Sequence, residues 1–264
     1  KMILGGYLIR LTPLLLGLLI ITNLITNKLI LPILILFALT FILIIISGER
    51  TALALLFLFW VMLIFFLSKF KILRLTTVIL SFCLMLLTFT FYPKAAQRSI
   101  YDTMVQMNIQ DNLSNIKYFS DTHQELAGTA INIFKEHKLI GSGPKQFRVL
   151  CDDKTYKAGV SGCSTHPHNI YLQLAAETGI IGILFLVTPL LFLVYKLLEH
   201  LYLKIRKKSI YFNDYEICIL ICISMTLWPI IPSNSFFNNW INIMYYLPIG
   251  FLLYTINNKN KVYE

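Results

Sequence analysis

Charged residues are scarce in this chain of 264 residues: they make up 14% of it, and only 13 residues are acidic. Soluble domains carry about 25% charged residues, so the composition argues against one. Hydrophobic residues instead make up 57%, and the mean hydropathy is +0.70. Several apolar runs reach the ~18–20 residues that a helix needs to cross a bilayer. The sequence therefore predicts an integral membrane protein.

Basic residues outnumber acidic ones, with 23 Lys and Arg and a formal net charge of +10. Such an excess can indicate a nucleic-acid partner. Here the lysines and arginines cluster in short stretches between apolar runs, which is typical of the cytoplasmic loops of membrane proteins. We therefore expect membrane lipids as partners and no nucleic acid.

Seven apolar runs predict transmembrane helices, and the fold class we expect is an all-α, polytopic transmembrane helical bundle. Four of the runs precede a long polar segment and three follow it. The predicted spans are about 2–22, 29–46, 51–67, 72–92, 170–195, 215–231 and 240–256.

The positive-inside rule gives one orientation that keeps the short basic loops and the C-terminal tail in the cytoplasm, with the chain starting outside. Segment 1–92 then holds four transmembrane helices and the hairpin SGER (47–50). Segment 93–169 is a periplasmic loop, and 170–264 holds three transmembrane helices and a cytoplasmic tail.

The periplasmic loop contains one clear helical pattern, in residues 122–138 (THQELAGTAINIFKEHK). Gly141, Gly143 and Pro144 follow and should end that helix. We expect a small, mostly helical cap over the outer mouth of the bundle. Its apolar positions at helical spacing are Leu126, Ala130, Ile133 and Phe134.

Cysteines are few, and only Cys151 and Cys163 lie in the periplasmic loop. In an oxidising compartment the favoured interpretation is a disulfide that stabilises the loop by roughly 3 kcal/mol. Zinc is the alternative, although the spacing matches no usual zinc pattern, so we expect no metal. Further zinc ligands could come from His123, His166 and His168, while the cysteines inside spans are Cys83, Cys218 and Cys222.

Arginines inside or beside spans are costly and indicate function. Arg10 lies within the first span, where its alternative role is to extend toward the membrane surface. Arg50 follows Glu49 at the end of the second span, and its guanidinium suits bidentate binding of phosphate oxygens. A structural Glu49–Arg50 pair is the alternative there.

Two histidines flank a proline in THPHNIYLQLAAETG, residues 165–179. Proline is favoured at the first position of a helix, so Pro167 should begin one, with Thr165 or His166 near its cap. His168 and Asn169 would then occupy the first turn, where free N–H groups favour anions. A neutral histidine there can take a proton from a hydroxyl. The alternative is a histidine that only packs at the interface.

Two other features carry weaker predictions. Glu177 lies about half a helical circumference from His168, so we expect it to bond a neighbouring span instead, with Gly179 and Gly182 permitting close contact. The stretch GSGPK at 141–145 lacks the spacing of a phosphate-binding loop, and a simple turn is the favoured interpretation. Lys145 and Arg148 could still face an anionic substrate.

Four motifs together resemble the O-antigen ligase/polymerase family (WaaL/Wzy type) of bacterial membrane glycosyltransferases. SGERTA at 47–52 is similar to the family's Ser-Gly-x-Arg signature, and THPHNIYLQLAAETGIIG at 165–182 to its histidine motif. IGSGPKQFRVLC at 140–151 is similar to its Gly-x-Gly-Pro-x-x-Phe loop, and PSNSFFNNW at 232–240 to its last outer loop.

The resemblance implies a multi-pass enzyme of the bacterial inner membrane whose site faces the periplasm and needs no cofactor. It would transfer a glycan from an undecaprenyl-diphosphate carrier to a hydroxyl of lipid A–core or of a growing glycan. The implied catalytic residues are Arg50, which contacts the diphosphate, and His168, which activates the acceptor. The expected substrate-binding residues are Arg10, Lys145, Arg148, His166 and Asn169.

The motifs do not separate an O-antigen ligase from an O-antigen polymerase or a protein O-oligosaccharyltransferase. A transporter or flippase with a polar path is the alternative from another class, and a structural membrane subunit is a third. The chain begins at Lys1, and family members usually have ten or more spans. We therefore expect N-terminal spans to be missing from it.

Overall fold

The computed structural model of the protein describes residues 4–26, 28–107, 120–208 and 211–263, and within these ranges every regular element is a helix. A π-helix, Gln97–Tyr101, lies between α5 and α6. The α-helices are α1 (Leu4–Ile21), α2 (Ile30–Ile46), α3 (Arg50–Phe66), α4 (Lys71–Phe91), α5 (Pro93–Ala96), α6 (Asp102–Gln106), α7 (Asp121–Glu136), α8 (Phe147–Leu150), α9 (Ile170–Ile205), α10 (Asp214–Thr226) and α11 (Asn239–Tyr263).

Each of the seven predicted spans overlaps one helix, although α10 has only 13 residues and ends at Thr226, before the predicted end at 231. These helices are α1, α2, α3, α4, α9, α10 and α11. Three of these, α1, α4 and α9, are long and apolar enough to cross a membrane, while α2 and α3 are apolar helices of 17 residues. The expectation of an all-α helical membrane protein is thereby confirmed.

The chain divides into two compact units. Unit 1 comprises residues 1–101, 193–227 and 244–264, and unit 2 comprises 102–192 and 228–243. This division cuts across the three chain segments drawn from the sequence, because the first part of α9 and the chain around 228–243 join the predicted cap.

Within unit 1, helix α10 is the innermost element: all 13 of its residues are buried, and it packs against α1 and α3. Its start is fixed by a capping box, in which Asn213 accepts the N–H of Glu216 at 2.9 Å and Glu216 accepts the N–H of Asn213 at 2.8 Å. Helix α2 packs against α1 and α4.

The last carbonyls of α3 are bonded by cationic side chains from other parts of unit 1. Lys204 donates to the carbonyl of Phe65 at 2.8 Å, and Arg74 donates to that of Ile64 at 3.1 Å. Cations near a helix C-terminus are stabilising because the orphan carbonyls there carry partial negative charge.

Unit 2 is built around the amphipathic helix α7, and the predicted helix at 122–138 is confirmed at Asp121–Glu136. The disulfide Cys151–Cys163 closes the loop beside this core, with its Cα atoms 4.8 Å apart. The buried core residues are Leu126, Ala130, Ile133, Phe147, Cys151 and Ala176.

Candidate functional site

In unit 1, α2 and α3 are joined by a tight hairpin, residues 47–49, just before Arg50. Gly48 has φ +62°, the left-handed region that favours glycine. Its Cα also lies against the side chain of Arg98, since a Cβ added there would be 3.1 Å from Arg98 Cδ. The glycine of the SGER motif thus allows both the turn and a close arginine.

The carboxylate of Glu49 binds the N-terminus of α1. Its Oε1 accepts the N–H of Gly5 and its Oε2 that of Gly6, both at 2.9 Å. Both donors lie in the first described turn of α1, where a carboxylate complements the helix dipole.

Arg10 also reaches the first turn of α1, where its Nη1 donates to the carbonyl oxygen of Gly6 at 3.0 Å. A Cβ added to Gly6 would be 3.1 Å from both Arg10 Nη1 and Glu49 Oε2, so the guanidinium and the carboxylate flank this glycine. The side chain of Arg10 is half-buried.

Arg50 is the first residue of α3, and its Nε donates to the carbonyl oxygen of Arg98 at 3.1 Å. Arg98 is exposed and follows α4 on the π-helix. No motif in the sequence marks Arg98 as a candidate. Unit 1 therefore brings together three arginines and one glutamate around the SGER hairpin, and guanidinium groups suit phosphate oxygens.

In unit 2 the prediction for the histidine motif was wrong in one respect: α9 begins at Ile170, three residues after Pro167. Asn169 is the capping residue, and its Oδ1 accepts the N–H groups of Tyr171 at 2.9 Å and Leu172 at 3.1 Å. The first-turn donors that we expected to attract an anion are thus already bonded.

His168 precedes the cap in the left-handed conformation, with φ +55°. A residue other than glycine in this region costs about 1–3 kcal/mol and persists only where its surroundings hold it. Ser233 supplies that hold: its N–H donates to the His168 carbonyl at 2.8 Å, and its Oγ accepts the N–H of Ile170 at 3.0 Å. Asn169 Nδ2 also donates to the Pro229 carbonyl at 2.9 Å.

Three histidines gather at this point of unit 2. The ring centroid of His168 lies 4.2 Å from that of His166 and 5.7 Å from that of His123. His123 Nδ1 is hydrogen-bonded to Ser120 Oγ at 2.7 Å. A cleft open to solvent is lined by His123, Ala127, Pro167, His168, Asn169, Leu172, Ile230 and Pro232.

The imidazoles of His123 and His168, which line this cleft, are side chains of the kind that coordinate metal ions. Across the described ranges, however, no three His, Cys, Asp or Glu side chains have the arrangement of metal ligands. The two cysteines considered as zinc ligands are joined to each other.

Glu177 is fully buried in unit 2 and bonds groups there. Its Oε1 accepts the N–H of Phe147 at 3.0 Å, and its Oε2 accepts from Gln173 Nε2 at 3.0 Å. Gln173 Nε2 also donates to Ser235 Oγ at 3.0 Å, and Gln173 Oε1 accepts the N–H of Phe236 at 2.8 Å. The expectation that Glu177 bonds a neighbouring span is replaced by this network.

Helix α9 is interrupted at Gly179, where φ is +66° and ψ is −158°. The interruption frees two carbonyls, and the GSGPK turn uses them: Ser142 N–H donates to Ala176 O and Gly143 N–H to Glu177 O, both at 2.9 Å. Gly179 therefore allows α9 to contact the GSGPK turn. The prediction had been that this glycine allows close contact between helices. The turn interpretation of 141–145 is confirmed.

Lys145 and Arg148 are exposed on this turn and on α8, and they do not line the histidine cleft. Asn169 lines the cleft but uses its side chain to cap α9 and to bond Pro229. Gln173 is the residue of the histidine motif that the sequence analysis missed, because a lone amide in an apolar helical run gives no signal of its bonding.

The family described as O-Antigen ligase (Wzy_C) matches residues 35–187, more than half of the chain. No curated protein and no solved structure matches it. The matched range contains the SGER hairpin, the GSGPK turn and the histidine motif, and ends before the 228–243 segment. On this match, the chain belongs to the O-antigen ligase family.

Proposed function

We propose that this protein transfers a glycan from undecaprenyl diphosphate to an acceptor hydroxyl at the periplasmic face of the bacterial inner membrane. Membership of the O-antigen ligase family supports glycosyl transfer, and the apolar helices support a membrane-bound donor and acceptor. The ligase reaction, with lipid A–core as acceptor, is the form we propose.

One observation carries the proposal: His168 lines an open cleft while its backbone is held in a left-handed conformation by Ser233. Such conformations cost free energy and persist only where the surrounding fold holds them, and they occur most often at functional sites. The cleft offers room for an acceptor hydroxyl beside an imidazole.

In the proposed step, the imidazole of His168 takes the proton of the acceptor hydroxyl as its oxygen attacks the anomeric carbon of the glycan. The bond between that carbon and the diphosphate oxygen breaks, and its electron pair leaves with undecaprenyl diphosphate. General-base help of this kind is typically worth ~10²–10⁴-fold in rate.

The arginines have the complementary role. As the glycosidic bond to the carrier breaks, negative charge grows on the departing diphosphate, and preorganised cations stabilise it. Arg50 binds the diphosphate in this proposal, and Arg10 supports it. The hydrogen bond from Arg50 Nε to Arg98 O fixes the direction of the guanidinium before substrate binds.

The test is a gel of surface lipopolysaccharide from a deletion strain complemented with the full-length wild-type gene, with His168→Ala or with His137→Ala. His137 also lies in unit 2 but does not line the cleft, so it is the matched control. We expect His168→Ala to lose all O-chains, with polymer accumulating on the carrier lipid, and His137→Ala to keep the ladder.

Other outcomes would change the assignment. Core bearing a single repeat unit would identify a polymerase. A normal ladder with His168→Ala at wild-type protein levels would contradict both forms, and protein glycosylation and transport would then be assayed.

A further inference from the structure

We propose that Gln173 is a positioning residue for the reaction: it binds residues 235–236, holds the preceding Ser233 in place and thereby fixes the backbone of His168. This inference rests on the proposed function for its effect on transfer. Its structural part, that Gln173 holds the backbone conformation of His168, can be tested without measuring transfer.

The side-chain amide of Gln173 links Glu177 to residues 235–236 by hydrogen bonds. Its side chain is 1% exposed, and both its amide nitrogen and its oxygen are bonded. Burying an amide is unfavourable unless its hydrogen bonds are made. A leucine would serve better if the position had only to fill the core, so the amide is best explained by the bonds it makes to residues 235–236.

Glu177 sets the orientation of that amide. A carboxylate only accepts and a backbone N–H only donates, so Gln173 must turn its nitrogen toward Glu177 and its oxygen toward Phe236. The nitrogen then also reaches Ser235 Oγ. Glu177 is itself held by the N–H of Phe147. The network therefore joins three motifs: the GSGPKQF turn, the histidine motif and the PSNSFF segment.

The link to His168 runs through a short stretch of chain, in which only Asn234 separates Ser233 from Ser235. Ser233 lies two positions before Ser235, and it bonds both His168 and Ile170. Releasing residues 235–236 would loosen Ser233, and the left-handed backbone of His168 would lose one of its constraints. A displacement of about 1 Å at a reacting group can cost ~10²-fold in rate.

Three variants separate this role from a purely structural one. Gln173→Leu keeps apolar bulk and removes the bonds, whereas Gln173→Glu places two carboxylates about 3.0 Å apart. The exchange of Gln173→Glu with Glu177→Gln restores a donor and an acceptor for every bond, since Ser235 can donate its hydroxyl proton. Asn132→Ala is the matched control, because it removes a side-chain bond to Tyr156 O elsewhere in unit 2.

Transfer is measured with purified full-length protein, undecaprenyl-diphosphate glycan extracted from the deletion strain and its lipid A–core. We expect Gln173→Leu and Gln173→Glu to lower kcat by about 10²-fold with little change in the donor KM. The exchange variant should recover kcat to within about threefold of wild type, since the paired changes compensate. Asn132→Ala should keep kcat.

The second readout needs no activity: the rate at which diethyl pyrocarbonate modifies each histidine, read by tandem mass spectrometry. We expect the rate at His168 to rise several-fold in Gln173→Leu and to return in the exchange variant, while His137 stays constant. An unchanged rate at His168 in Gln173→Leu overturns the inference.

The two proposals fail differently. If His168→Ala transfers glycan as wild type does, the proposed function is wrong, and the modification rates still decide the role of Gln173. If His168→Ala is inactive but Gln173→Leu keeps full kcat, only the positioning inference is wrong.

Discussion

Glu49 Oε1 accepts the backbone N–H of Gly5 at 2.9 Å, across 44 residues of sequence. This bond ties the SGER hairpin to the first turn of α1, the helix that carries Arg10. The glutamate of the motif therefore has a structural use, and the arginine beside it bonds Arg98 through its Nε. Neighbouring charged residues in one motif thus have separate tasks.

Replacing Glu49 with alanine should destabilise unit 1, because the N–H groups of Gly5 and Gly6 lose a charged acceptor. A helix cap is worth about 0.5–2 kcal/mol and a hydrogen bond to a charged group about 1.5–3 kcal/mol, so we expect a loss of about 1–3 kcal/mol. The measurement is thermal unfolding of the purified protein in detergent. Glu136→Ala, which removes an exposed carboxylate at the end of α7, is the control and should change little. Equal midpoints for Glu49→Ala and wild type would contradict this role.

Gly179→Ala should disrupt unit 2 for two reasons. The backbone there has φ +66° and ψ −158°, a region that is almost restricted to glycine. An added Cβ would also lie 2.3 Å from the carbonyl oxygen of Leu139. We expect a loss of more than about 3 kcal/mol, measured by unfolding and by protease resistance of residues 120–192.

Gly250 supplies the comparison, because it lies in α11 and an added Cβ would meet no other described heavy atom within 4 Å beyond the backbone of its own helix. Gly250→Ala should be neutral or stabilising by up to about 1 kcal/mol. Similar behaviour of the two alanine variants would show that the interruption at Gly179 is not required.

The helices were predictable from the sequence because long apolar runs leave little choice of structure. The starts of α1, α4 and α11 lie within two residues of their predicted positions. The interruption at Gly179 was not predictable in the same way. A glycine in an apolar run also fits helix packing, and only the turn at 141–143 explains the break.

The motifs of the candidate site could be recognised in the sequence, but the hydrogen bonds that their side chains make could not. The start at Pro167 was inferred from a local preference, and the capping side chain of Asn169 outweighed it. Contacts such as Arg50 with Arg98 or Gln173 with Ser235 join residues 48 and 62 positions apart. No local pattern encodes such pairs, although the adjacent glycines at 5 and 6 were a signal of close approach.

His168→Asn separates the chemistry of the imidazole from the conformation of the backbone. Asparagine tolerates the left-handed region better than most residues, so the fold around Ser233 should be kept. The amide cannot act as a base, and we expect transfer to fall by about 10²–10⁴-fold. The rate is measured with purified protein, alongside its unfolding midpoint. Full activity in His168→Asn would remove the histidine from the mechanism.

Arg50→Lys tests whether the guanidinium matters beyond its charge. Lysine keeps the positive charge but has neither the Nε–H that bonds Arg98 O nor the planar pair of donors that binds two phosphate oxygens at once. We expect transfer to fall by at least about tenfold, with a higher donor KM, since one charge-assisted bond is worth about 1.5–3 kcal/mol. Lys94→Ala removes an exposed cation from the same unit and should keep the wild-type rate. Wild-type kinetics in Arg50→Lys would reduce the role of Arg50 to a general positive charge, and the fixed direction of its guanidinium would then have no part in binding the diphosphate.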